Sequence, residues 1–128
     1  MSNAHLDILP PAAQLLGRDY LADGRIRYTA RPEFTNRHGI VQGGFLAAML
    51  DSATSFALLR ELEPEFIALT MTLETSFLKP APVGDFVATV RLLSRDDRYA
   101  ETEADLATAD GLVVASAKAK LRILPRRS

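Results

Sequence analysis

The chain contains no cysteine. Disulfides, zinc–thiolate sites, iron–sulfur clusters and cysteine nucleophiles are therefore excluded. There are only two histidines, His5 and His38, so a histidine-rich metal site is not expected, and no metal or cofactor is. An excess of one charge is also missing. Fifteen Lys and Arg stand against 16 Asp and Glu, a formal net charge of −1. A nucleic-acid binder needs a basic surplus, and nothing here is built to hold an anionic membrane surface. Long apolar runs are absent too. The longest, Phe45 to Leu50, is far short of the roughly 20 residues of a spanning helix. The first residues lack the basic and then apolar run of a signal peptide, which makes the cytoplasm the expected compartment. Met1-Ser2-Asn3-Ala4 resembles a remnant of expression. No Gly-x-Ser-x-Gly elbow, phosphate loop or His-Glu-x-x-His motif occurs.

What is present suits one domain. The chain has 128 residues, 48% of them hydrophobic, enough to bury a core without covalent staples. No repeat or linker interrupts it. Residues 1–23 read as an N-terminal segment with one short helix over Ala12 to Leu16, entered through Pro10-Pro11. The domain proper runs from 24 to 128. From Arg25 the pattern alternates, with Ile26, Tyr28 and Ala30 on one face, until Pro32 stops the strand.

A polar loop, Glu33 to Gln42, ends in Gly43-Gly44. From about Gly44 to Glu61 there is no proline, and Ala, Leu, Met and Phe favour a helix. Its apolar residues go nearly all the way round, so the helix is expected to be buried. It carries one carboxylate in its middle, Asp51. Four strands follow. In the first, Ile67, Leu69, Met71, Leu73, Thr75 and Phe77 form one face. The second runs over Asp85 to Ser94, the third over Tyr99 to Thr108. The fourth has Val113, Ala115, Ala117, Ala119, Leu121 and Ile123 inward. Short links, including Asp110-Gly111, predict an antiparallel meander. A five-stranded sheet curled round one buried helix would satisfy layer packing, an α+β arrangement.

The stretch that carries chemistry is Asn36 to Gly44, running straight into the helix. The first helical amides lack backbone partners and carry the positive end of the helix dipole. Glycine lets a substrate approach that backbone. Such a helix start can hold negative charge developing on a carbonyl oxygen. Asp51 lies two turns further on, and a carboxylate in apolar surroundings suits a base or nucleophile.

The pattern Asn36, Gly39, Gly43-Gly44 and Asp51 resembles the hotdog-fold thioesterases of the phenylacetate-pathway (PaaI-like) group. Phe77-Leu78-Lys79-Pro80-Ala81, Gly84-Asp85 and Asp110-Gly111-Leu112-Val113 are similar to further pieces of that family. The resemblance spans about Gly24 to Ile123. It implies a hotdog domain that hydrolyses acyl-coenzyme A, with coenzyme A as part of the substrate rather than a cofactor. It implies that Asp51 activates a water or attacks the thioester directly, that Gly43 and Asn36 polarise the carbonyl, and that Thr70 steadies the water. Gln42 and Gly44 would border the substrate. A homodimer would share each site between two chains, and a dimer of dimers is expected. Gln42 stands where the family carries histidine. Glutamine cannot take up a proton.

Each residue also has a plainer reading. Asp51 can be a structural acid satisfied by Ser55 or Thr54. Asn36 and His38 can be ordinary loop residues, and Thr70 a strand former on a polar face. Lys79, Arg98 and Lys118, with Arg95 and Lys120, can meet coenzyme A phosphates or simply line a solvated face. A non-catalytic acyl-CoA binder or sensor is the alternative function, and Asp51 favours the enzyme. A dehydratase on the same fold would need an acid–base pair for which only His38 is available.

Overall fold

The computed structural model describes residues 9–126. His5 and the Met1-Ser2-Asn3-Ala4 start lie outside the described residues. In chain order the elements are α1 (Pro11–Leu15), β1 (Asp19–Tyr20), β2 (Ile26–Ala30), a 3-10 turn (Pro32–Phe34), α2 (Gly43–Leu59), β3 (Phe66–Phe77), β4 (Gly84–Arg95), β5 (Tyr99–Thr108) and β6 (Val113–Pro125). One antiparallel sheet has the order β1-β2-β4-β5-β6-β3 and wraps α2.

The sheet departs from the sequence reading in three ways. It has six strands rather than five, because Asp19 and Tyr20, from the segment before residue 24, pair with Arg27 and Ile26. The meander holds for β4-β5-β6 only. The proline-bearing link 78–83 carries the chain across, so β3 lies beside β6 at the far edge. The expected single phase along β3 is also broken. A bulge at Met71 shifts the register between Thr70 and Thr72. Phe66 and Ala68 pack inward before it and Leu73 after it, while Leu69 and Met71 are 50% and 52% exposed. An extra residue swaps the two faces of a strand. A similar shift between Leu106 and Ala107 leaves Val113 outward and Val114 buried.

A second bulge, at Leu93 in β4, falls on the same row as the one in β3. Ser94, Glu101, Lys120 and Thr72 are cross-strand neighbours in turn. Bulges bend and twist a sheet, so this row is a crease. It lets the sheet close round the helix.

The inner faces of β5 and β6 are lined by Ala100, Ala104, Ala115, Ala117 and Ala119, all buried. Small residues there leave room for Met49, Leu50 and Leu58 of α2, which are fully buried. Interiors are close-packed, and large against small is one way to reach that density. The expectation that α2 is covered all round is not met. Leu46, Met49, Leu50, Ala53, Phe56 and Ala57 face the sheet, whereas Gly44 and Ala48 are exposed and Asp51, Ser52 and Ser55 only half buried. That side opens between the two edges of the curled sheet.

Candidate active site

The segment 34–42 is a closed loop. The amide of Gln42 donates to the Phe34 carbonyl (2.9 Å), Thr35 bridges Val41, and the Asn36 amide donates to the Ile40 carbonyl (2.8 Å). The rings of Phe34 and Phe45 stack, 4.2 Å apart and 2° from parallel. This ties the loop to the first turn of α2. At its tip Gly39 has φ 78°, a left-handed conformation that glycine adopts without strain. The side-chain oxygen of Asn36 accepts from the His38 amide (2.9 Å). Its NH2 is left to donate elsewhere. His38 is exposed and takes part through its backbone.

Gln42 is the residue before the helix, with φ −65° and ψ 139°, and its side chain makes no capping bond. Among the described residues, the amides of Gly43 and Gly44 have no backbone acceptor. They stand free at the positive end of the helix dipole. Gly43 is there for closeness of approach. A Cβ at this position would meet two ring atoms of Phe77 at 3.2 Å. A cavity of about 430 Å³ adjoins the helix start, lined by Asn36, Gly43, Lys79, Phe77, Leu78, Leu46, Ile40, Val41, Pro80 and Ala81. It holds hydrogen-bond donors and apolar walls, and no acidic side chain.

Asp51 is not in that cavity. Its Oδ1 accepts a 2.7 Å hydrogen bond from the Thr70 hydroxyl, and Ser55 Oγ lies 3.3 Å from Thr70 Oγ1. Thr70 keeps the inward phase of Phe66 and Ala68, and the bulge at Met71 brings Leu73 to the same face. Thr54 turns back to the carbonyls of Leu50 (2.8 Å) and Asp51 (3.1 Å). Asp51 is thus held by Thr70, not directly by Ser55 or Thr54. Among the described residues it has no ion-pair partner. On the other flank of the open side, Tyr28 donates to Ser52 (2.8 Å). Burial pushes the Tyr28 hydroxyl well above its ordinary range, although the bond to Ser52 opposes this. That link had no signal in the sequence beyond an inward tyrosine on β2.

The basic residues scatter. Lys79 lines the cavity with Asn36 and Gly43. Arg98 sits in the β4–β5 turn, where its amide donates to Asp96. Lys118 is on the outer face of the sheet, in register with Glu74 and Glu103. Lys120 and Arg122 flank the ring of Tyr99, and Arg95 donates to the Glu61 carbonyl. Among the described residues no three His, Asp or Glu converge as a metal-ligand set.

A sheet wrapped round one central helix, with a carboxylate on the helix's open side, defines the hotdog class. The chain belongs to the thioesterase superfamily, whose sequence profile matches residues 38–115. A phenylacetic acid degradation-related protein of Ralstonia eutropha JMP134 is 33% identical, with a TM-score of 0.85 over 90% of this chain and 91% of that one. A thioesterase family protein of Silicibacter pomeroyi is 27% identical, with a TM-score of 0.81 over 91% of each. A Bacillus halodurans protein solved with CoA shares the fold at 23% identity, with a TM-score of 0.82 over 94% of this chain and 80% of that one. No curated protein matches the chain. No helix among the described residues is long and apolar enough to cross a membrane.

Proposed function

We propose that the protein hydrolyses acyl-CoA thioesters to a free acid and coenzyme A. The observation that carries this reading is Asp51, a half-buried carboxylate without an ion-pair partner among the described residues, with one oxygen held by Thr70. The donor-lined cavity at the start of the same helix supports it. The Asn36 NH2 and the Gly43 amide polarise the thioester carbonyl. Asp51 takes a proton from water while the water oxygen bonds to the acyl carbon. The oxyanion collapses, the carbon–sulfur bond breaks, and the proton leaves on sulfur as the thiol. Direct attack by Asp51 would instead pass through an anhydride that water then opens. Gln42 and Gly44 border the entry, and Lys79 is the cation nearest to the cavity for a phosphate of coenzyme A. Arg98 and Lys118 would meet the nucleotide further out, from the β4–β5 turn and the outer face of the sheet.

Both halves cannot act on one carbonyl from a single chain. Gly43 and Asp51 are two helical turns apart, about 12 Å along the axis. A second copy closes that gap. The twelve-residue β3 is an open edge with Leu69 and Met71 exposed. Long apolar edges are prone to pair, and a two-fold axis at β3 gives two equal sites, each with Asp51 from one protomer and Asn36 and Gly43 from the other. Two such dimers then form a closed tetramer.

Thiol release over a panel of aliphatic and aromatic acyl-CoA substrates tests the activity. Turnover of at least one class is expected. Binding without hydrolysis across the panel would establish the non-catalytic binder, the reading that Gln42 favours. Mixing inactive Asp51→Asn and Asn36→Ala protomers tests the shared site. Random re-pairing rebuilds one intact site in each mixed dimer, so about a quarter of wild-type activity returns. No recovery after verified exchange refutes sharing.

A further inference from the structure

Three groups on two elements form a chain that the mechanism above uses only in part. Asp51 and Ser55 are one turn apart on α2, on the same side. Thr70, the last inward residue of β3 before the bulge at Met71, stands between them. The contacts are 2.7 Å from Thr70 Oγ1 to Asp51 Oδ1 and 3.3 Å from Thr70 Oγ1 to Ser55 Oγ.

Proton counting sets the direction of both bonds. An ionised carboxylate only accepts. The one hydroxyl proton of Thr70 therefore points at Asp51. At its other contact Thr70 can only accept, so the Ser55 hydroxyl is the donor there. We propose that Ser55 is a positioning residue for thioester hydrolysis: it orients the Thr70 hydroxyl, which in turn holds Asp51 by Oδ1 and leaves Oδ2 as the oxygen that takes the water's proton. This rests on the hydrolytic reading of Asp51. It also gives Thr70 a different task from the one the family resemblance implies. With its proton committed to the carboxylate, Thr70 does not donate to the water. The water is oriented by Oδ2.

The setting makes the relay readable by pH. Among the described residues, the inward row of β3, β4, β5 and β6 that packs on α2 is apolar or hydroxyl-bearing except at the end of β4, where Arg95 is in register with buried Ala100 and donates to the Glu61 carbonyl. On β2 the inward titratable group is Tyr28, bonded to Ser52 and kept neutral by burial, while Arg27 is exposed and paired with Asp19. On β1 Tyr20 is stacked on Phe56 with Arg18 over its ring, Asp19 points away into the exposed ion pair with Arg27, and Arg60 lies over Phe56 at the end of α2. Phenols and guanidinium groups do not titrate on the acid side. His38, in the loop that a second copy brings to the site, is common to all the variants, so the difference between their acid limbs is the readout.

The test is steady-state hydrolysis of the best acyl-CoA substrate by wild type, Ser55→Ala, Ser55→Thr, Thr70→Val and the Ser55→Ala/Thr70→Val double variant, with Asp51→Asn as control. Alanine is the best helix former, so Ser55→Ala keeps α2 intact. Ser55→Ala should lower kcat by about 10-fold with KM unchanged, since a hydrogen bond in a charged network is worth about that factor. Its acid limb should move to higher pH, because Ser55 no longer orients the Thr70 hydroxyl, whose donation to the carboxylate favours the charged form. Ser55→Thr keeps the hydroxyl and restores the rate. The double variant should match Thr70→Val alone, because Ser55 acts only through Thr70. An unmoved acid limb in Ser55→Ala, or losses that add in full in the double variant, overturns the relay while leaving an inactive Asp51→Asn and the hydrolytic reading in place. If Asp51→Asn stays active, both fail together.

Discussion

On the closed side of α2, Met49, Leu50, Ala53 and Ala57 are fully buried against a sheet faced with alanine. On its open side, Gly44 and Ala48 are exposed, and Asp51, Ser52 and Ser55 stay half accessible. The two sides differ by less than one turn of rotation about the same axis. Packing governs the first, where any change in volume is felt by every neighbour. The second is governed by hydrogen bonds reaching in from the flanking strands, Thr70 to Asp51 and Tyr28 to Ser52. A charge is tolerable there because its desolvation is incomplete. The contrast teaches that one helix can be both the core of the fold and the platform of the site, provided that the two tasks occupy different faces.

The sharpest way to break this contrast is to alter the open side and watch stability. Asp51→Asn keeps shape but removes charge and basicity, both needed by a base or nucleophile. We expect kcat to fall by at least about 1,000-fold, near 4 kcal/mol, with the thermal midpoint little changed. A variant that loses fold along with activity would make Asp51 a structural residue. The closed side should do the converse. Leu50→Ala removes a fully buried side chain and should cost about 2–5 kcal/mol of stability. At a temperature where it remains folded, its rate per folded molecule should stay within a few-fold of wild type. Urea unfolding and active-site titration separate the two quantities.

Gly43 tests the boundary between the sides. A methyl group there would touch the ring of Phe77 at 3.2 Å. Gly43→Ala should lower kcat by about 10-fold, since overpacking typically costs about 1–3 kcal/mol and here displaces an amide that polarises the carbonyl. Adding Phe77→Leu relieves the crowding and should return part of the rate. Gln42→Ala, which alters an exposed side chain without a capping bond, should do less than Gly43→Ala. A reversed ranking would move the catalytic weight to the side chain before the glycine pair.

How much of this was legible in the sequence depended on distance along the chain. The loop from Asn36 to Gly43 and the helix carrying Asp51 are contiguous, so composition and spacing reveal them. The start of β2 at Ile26 and the hairpin at Asp110-Gly111 are local signals too. Strand order is not local. Nothing in residues 66–77 says that β3 lies beside β6 rather than β4, because that is decided by where the proline-bearing link can cross. The run Ile67, Leu69, Met71, Leu73 reads as one face, and only the bulge at Met71 divides it. Thr70 lies before that bulge, in phase with the inward Phe66 and Ala68. The resemblance singled it out, but an alternation read through Leu73 puts it on the outer face, so its bond to Asp51 was not legible from periodicity. The sixth strand is two residues long, too short to leave an alternating pattern.

The smallest expected effect comes from a second inward threonine. Thr102 on β5 is fully buried, and its hydroxyl has no hydrogen-bond partner. It stands on the row of Leu92, Ala119 and Leu73, close to the row that carries Thr70 but toward the closed side of α2. Its neighbours along that row are all apolar, and among the described residues none bonds to the hydroxyl. Burying an unsatisfied hydroxyl is costly, and exchanging it for a group of the same shape that needs no partner removes the cost. Thr102→Val should therefore raise stability by about 1 kcal/mol, read as a higher urea midpoint at an unchanged m-value. Activity should be untouched, because nothing at Thr102 reaches the open side. Thr70→Val is the same chemical change on the next inward row, two rows away, on a hydroxyl that donates to Asp51, and should cut the rate without any gain in stability. If Thr102→Val instead destabilises the protein, the closed side of α2 is not dry, and the division between a packed face and a reactive face loses its physical basis.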